Sequence, residues 1–87
     1  MSKKWIKLVE NKNTVEMRVD CIGMLSTDCT TDENQAIEIY SIAGMLLYRS
    51  PKLPIEWAIE LLRKIKELIN TPDWYGVKTI NLFPEKR

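Results

Sequence analysis

The sequence predicts a small α+β domain of order ββααβ, and two observations carry that reading. Residues 14–22 read Thr-Val-Glu-Met-Arg-Val-Asp-Cys-Ile, with Val15, Met17, Val19 and Cys21 alternating with Glu16, Arg18 and Asp20. That period of two marks a strand with one apolar and one charged face. From about residue 32 the apolar residues recur with a period near 3.6, which predicts two successive helices.

Trp5 to Val9 is the first predicted strand. Glu10-Asn11-Lys12-Asn13 has the length and polarity of a hairpin turn. Thr14 to Ile22 is the second strand, ended by Gly23, and Ser26 to Thr31 is a polar loop. Thr30 and Glu33 have capping-box spacing, and Asp32 and Glu33 suit the positive end of a helix dipole. The first helix is therefore expected from Asp32 to Tyr48.

Ser50-Pro51-Lys52-Leu53-Pro54 is a stiff connector whose last residue suits a helix start. The second helix is expected from Pro54 to Ile69, with Glu60 and Lys64 as an (i, i+4) pair. Asn70-Thr71-Pro72-Asp73 stops it. Trp74-Tyr75-Gly76 is a loop, Val77 to Phe83 the third strand, and 84–87 a polar tail. The three strands are expected as one antiparallel sheet of order 1-2-3, with both helices on the Val15, Met17, Val19, Cys21 face. The other arrangement weighed is 3-1-2, with one parallel pair.

The helices differ in character. The second has a clean apolar arc of Ile55, Trp57, Ala58, Ile59, Leu61, Leu62, Ile65, Leu68 and Ile69. In the first, Ala36, Ile39, Tyr40, Ile42, Ala43, Leu46 and Leu47 form the inner arc, while Ile37, Met45 and Tyr48 lie on the other side. A helix apolar nearly all round is buried on more than one side.

Composition bounds the function. The chain has 87 residues, 45% hydrophobic and 29% charged, which is the make-up of one ordinary globular domain, 1–87. A formal net charge of +1 lacks the basic excess of a nonspecific nucleic-acid binder. No apolar run is long enough to span a bilayer, and the start of the chain lacks a secretory apolar stretch, so no membrane association is expected. Cys21 reads as a buried small hydrophobe and Cys29 as a poor nucleophile between Asp28 and Asp32. Two free thiols point to the cytoplasm.

No catalytic set stands out. With no His, the commonest general base near neutral pH is missing. Gly-rich phosphate loops and Cys-x-x-Cys are absent, and Asp28, Asp32, Glu33 and Glu38 lack the spacing of a calcium loop. No enzyme activity, cofactor or metal is expected.

The leading functional expectation is a small intracellular protein-interaction module of accessory or inhibitor type. It would bind a protein surface or a second copy of itself through Ile37, Ser41, Gly44, Met45 and Tyr48 on the outer side of the first helix, together with Tyr75. Covering of that stripe by the 24–31 loop or by the N-terminal segment is the intramolecular alternative. The second functional expectation is a nucleic-acid-associated protein using the basic N-terminal cluster Lys3, Lys4 and Lys7, with Arg18 and exposed Tyr75. Trp74 is expected to plug the end of the sandwich. Glu16, Arg18, Asp20 and Lys78 are expected on a solvated outer sheet face.

Overall fold

The structure is a computed structural model that describes residues 4–27 and 34–83. Lys3, Cys29, Asp28 and the expected helix start at 30–33 lie outside the described residues. Among the described residues eight strands and one helix follow in the order β1 Lys4–Glu10, β2 Asn13–Arg18, β3 Ile22–Thr27, β4 Asn34–Gln35, β5 Ile37–Ser41, β6 Leu46–Arg49, β7 Leu53–Pro54, α1 Ile55–Asn70 and β8 Gly76–Asn81.

The ββααβ expectation is overturned. Strand accounts for 51% of the structure, one helix replaces two, and three small sheets replace one. The first sheet has the order β2-β1-β8, with β1 antiparallel to β2 and parallel to β8. For these three strands that is the 3-1-2 order, not 1-2-3. The second sheet is β3-β5-β6, antiparallel throughout, and β4 pairs with β7.

The alternation at 14–22 holds as far as the chain stays extended. Met17 is buried and stands opposite Ile6, Val15 stands opposite Leu8, and Glu16 faces out opposite Lys7. A 3-10 turn at Val19–Cys21 then interrupts the strand, and the Arg18 side chain donates to Asp20 across it at 2.8 Å. The turn carries the chain from one sheet into the next. Val19 remains buried, but Cys21 rotates outward and is exposed. The buried-thiol expectation is therefore corrected. Ser26 and Thr27, expected in a loop, finish β3.

The larger correction lies at 34–49. Ile37, Ile39 and Tyr48 line the inner face of the second sheet, while Glu38 and Tyr40 face outward. β-branched side chains at alternate positions suit a strand and lose rotamer freedom in a helix. The reversal sits at Ile42-Ala43-Gly44. The Gly44 N–H donates to Ser41 O at 3.0 Å, and the Ser41 N–H donates to Met45 O at 2.7 Å. Gly44 has φ +92°, a left-handed conformation open to glycine and strained for other residues. This is a three-residue hairpin loop closed by a left-handed glycine. No helix can contain that residue in that conformation.

The one helix matches its expected span closely, with Pro54 as its cap residue. Ala58, Leu61 and Ile65 are buried against the core, while Trp57, Leu62, Leu68 and Ile69 are partly buried around them. Ile59, expected in the apolar arc, is exposed. Glu60 pairs with Arg63 rather than with Lys64, and Arg63 also bonds Glu67 at 2.9 Å. All three sheets and the helix share one apolar cluster that includes Ile6, Leu8, Ile39, Leu53, Leu61 and Leu82. Two indoles fasten its rim: Trp57 Nε1 donates to Leu82 O at 2.6 Å, and Trp74 Nε1 to Leu68 O at 2.9 Å. Trp74 is buried in that cluster, with the Lys4 and Lys78 ammonium groups 5.3 and 5.7 Å from its ring centre.

Candidate functional site: the β5–β6 hairpin

The hairpin has two unlike faces. Inward, Leu25, Ile39 and Tyr48 stand side by side across β3, β5 and β6. Outward, Met24, Tyr40 and Leu46 form the matching row. Directly opposed residues on neighbouring strands lie roughly 5 Å apart, so this row is contiguous. Ile42 and Met45 extend it over the hairpin tip. Their exposures are 75% and 68%, with Met24 at 54% and Leu46 at 51%. None of residues 39–48 is charged.

Two irregularities shape the row. On β3 the register slips between Ile22 and Met24, which leaves Gly23 as the extra residue. On β5–β6 it slips between Ile39 and Tyr40, which leaves Leu47 unpaired and partly exposed. Such bulges twist a strand and re-aim its side chains. Gly23 is there for space: a Cβ on it would stand 2.6 Å from Ser41 O and 2.7 Å from Ile42 Cα. Only a glycine lets the β3 backbone come this close to the tip. The Ile42 N–H donates to Cys21 O at 3.2 Å, and the Met45 N–H donates to Ser41 Oγ at 3.1 Å, so the loop is held from both sides.

Polar groups border the apolar row at its base. The Tyr40 hydroxyl donates to Glu38 Oε1 at 2.7 Å, and Arg49 lies 3.6 Å from the same carboxylate. The hydrogen bond to Glu38 raises the Tyr40 pKa above its ordinary value, with burial adding to the effect. On the inner side the Tyr48 hydroxyl donates to Glu10 Oε2 at 2.5 Å, which ties β6 to the end of β1. Burial and that hydrogen bond together push the Tyr48 pKa up strongly.

The five residues expected as one stripe, and Tyr75 expected beside them as a separate contact, are distributed over three environments. Ile37 and Tyr48 belong to the core. Ser41, Gly44 and Met45 are brought together at the hairpin tip. Tyr75 is 77% exposed but sits in the loop before β8. The outer stripe of a helix does not exist, because no helix forms there. Met24, Tyr40, Ile42 and Leu46 complete the surface and were not expected on it. Their signal was the Ile-Glu-Ile-Tyr alternation followed by Ala-Gly, a strand running into a turn.

The basic cluster is divided between surfaces. Lys4 donates to Thr71 O at 2.6 Å and lies over Trp74. Lys7 faces the other way, opposite Glu16, and Arg18 pairs with Asp20. Lys78 registers with Ile6, so it shares the inner-face alignment and not the outer face expected of it. Among the described residues no group of His, Cys, Asp or Glu is placed to hold a metal ion. No helix among them is long and apolar enough to cross a membrane. Comparison with known protein families, with curated proteins and with solved structures finds no match to this chain.

Proposed function

We propose that the protein acts by binding another protein chain, with the outer face of the β3-β5-β6 sheet as its contact surface. The observation that carries this reading is the row Met24, Tyr40, Leu46, continued by Ile42 and Met45 on an uncharged hairpin with a polar base. An apolar centre inside a polar rim is the build of a protein interface. Methionine suits it further, since an unbranched thioether adapts to the shape it meets. In this reading binding is the whole activity, as in an accessory or inhibitor protein, with no catalysis of its own. The cytoplasm is the compartment that keeps an exposed Cys21 thiol reduced.

The test is Met45→Glu together with Leu46→Glu, which changes exposed positions only. Sedimentation at increasing concentration reads self-association. A binary assay with a purified partner, first captured from the native cell, reads association with a different chain. The expected result is a folded variant whose association is at least a hundredfold weaker, because a charge left unpaired in an interface centre costs several kcal/mol. Lys12→Glu, at an exposed position in the β1–β2 turn, serves as the control. Unchanged association in the double variant would exclude this surface.

A further inference from the structure

A second surface lies along β8. Among the described residues this strand is the edge of its sheet, paired with β1 on one side only. The Leu82 N–H donates to Val9 O at 2.8 Å. Backbone groups alternate in direction along a strand. Lys78 and Ile80, which share the parity of Leu82, therefore turn theirs toward β1, and Val77, Thr79 and Asn81 turn theirs to the open side.

Helix α1 runs beside that open side. Between the two lies a groove of about 430 Å³, with Trp57, Leu68 and Ile80 as its apolar lining. Its charged lining is unequal. Glu67 is engaged by Arg63 at 2.9 Å. Lys64 and Lys78 hold their ammonium groups 5.5 and 5.7 Å from the ring centres of Trp57 and Trp74. Neither has a carboxylate at ion-pair distance among the described residues. Among the described residues the groove therefore offers an unpaired backbone edge, an apolar floor and two cations without counter-charges.

We propose that this groove receives an extended acidic peptide segment of a partner protein, which joins the sheet as a strand beside β8. The outward amides and carbonyls of Val77, Thr79 and Asn81 supply the main-chain hydrogen bonds. Side chains of the added strand that stand opposite Lys78 and Ile80 point toward the helix, two residues apart. A carboxylate at the first of these meets the ammonium groups, and an apolar side chain at the second covers Ile80. A second copy of β8 is a poor occupant, because Gly-Val-Lys-Thr-Ile-Asn carries a lysine and no carboxylate. This site is separate from the β5–β6 hairpin and stands or falls without it.

The test uses the full chain and two labelled octapeptides, one alternating Glu with Val and the other alternating Lys with Val. Fluorescence anisotropy reads affinity, and amide hydrogen exchange reads position. The Glu peptide is expected to bind at least tenfold more tightly than the Lys peptide, with slower exchange at Val77 and Thr79. Lys64→Glu with Lys78→Glu should reverse that preference. Thr79→Pro should abolish binding of either peptide while the domain stays folded, since it removes an amide that β1 does not use. Should Thr79→Pro unfold the chain, the charge-reversal pair still decides. Equal affinity for the two peptides, or protection at the hairpin and not at β8, overturns the proposal. So does a protein that dimerises alone with its β8 amides protected.

Discussion

Ile39 and Ile42 distinguish a hairpin from a helix more sharply than any other pair in the chain. In a helix over 32–48 both would lie on the inner arc, and truncating either would cost the same. In the structure Ile39 is 0% exposed at the centre of the β3-β5-β6 sheet, whereas Ile42 is 75% exposed at the turn. Truncating a fully packed isoleucine to alanine costs about 2–5 kcal/mol, from lost transfer energy and the cavity left behind. Full burial of such a side chain is worth about 1.5–3 kcal/mol, so one with a quarter of its surface covered has roughly 0.5 kcal/mol to lose. Urea unfolding followed by circular dichroism measures both. With a slope near 1 kcal/mol per M for a chain this small, Ile39→Ala should lower the midpoint by about 2 M or more, and Ile42→Ala by about 0.5 M. If Ile39→Ala leaves too little folded protein, Ile39→Val should still cost about 1 kcal/mol. Equal midpoint shifts for Ile39→Ala and Ile42→Ala would refute the hairpin and restore the helix.

Four further outcomes follow from the geometry. Gly23→Ala should cost about 2–3 kcal/mol in the same unfolding assay, because its Cβ would meet the Ser41 and Ile42 backbone, which cannot swing aside. Gly44→Ala meets nothing within 4 Å and should cost only the strain of a left-handed residue, about 1 kcal/mol. Tyr48→Phe should lose roughly 1.5–3 kcal/mol at neutral pH with its bond to the Glu10 carboxylate. The phenol is neutral in both states below its ordinary pKa of about 10, and above it the unfolded chain ionises first. Wild-type stability should therefore fall above about pH 10, by about 1.4 kcal/mol per pH unit for this proton, a slope that Tyr48→Phe lacks. In a Cys29→Ser variant, Cys21 should react with a thiol reagent in the native state about as fast as in urea, since it is exposed. Strong native protection would place it back inside the core.

How far the sequence was legible depended on whether one period or two fitted each segment. Residues 13–18 fit only a period of two and formed β2, with the expected faces. Residues 55–70 fit only 3.6 and formed α1, with Pro54 where a helix start needs it. Residues 37–48 fit both. Ile37, Ser41, Met45 and Tyr48 are spaced as a helical stripe, yet Ile37 and Ile39 bracket Glu38 as in a strand. Three signals favoured the strand: the density of β-branched residues, a glycine in the middle, and the apolar coverage all round a supposed helix. The 3-10 turn at Val19–Cys21 was illegible for another reason. Alternation continues through it in the sequence, and only the need to pass from one sheet to the next bends the chain there.

The candidate surface was legible by composition and illegible by geometry. The stripe that holds Met45 stands out because the segment carries more apolar surface than one layer can bury, and the hairpin does leave Ile42, Met45 and Leu46 exposed. Its placement depended on the backbone. A helix would have spread the surplus along one outer side, with Ile37 and Tyr48 included. A two-stranded turn instead sorts residues by parity, sends Ile37, Ile39 and Tyr48 inward, and gathers the rest at the tip and on the outer row with Met24 and Tyr40. A stripe over three helical turns would be roughly 16–17 Å long and one residue wide. The hairpin face is three strands wide, roughly 10 Å, and ends in a protruding loop. Under the proposed binding function, that shape calls for a shallow concave apolar surface on the partner rather than a groove built to receive a helix.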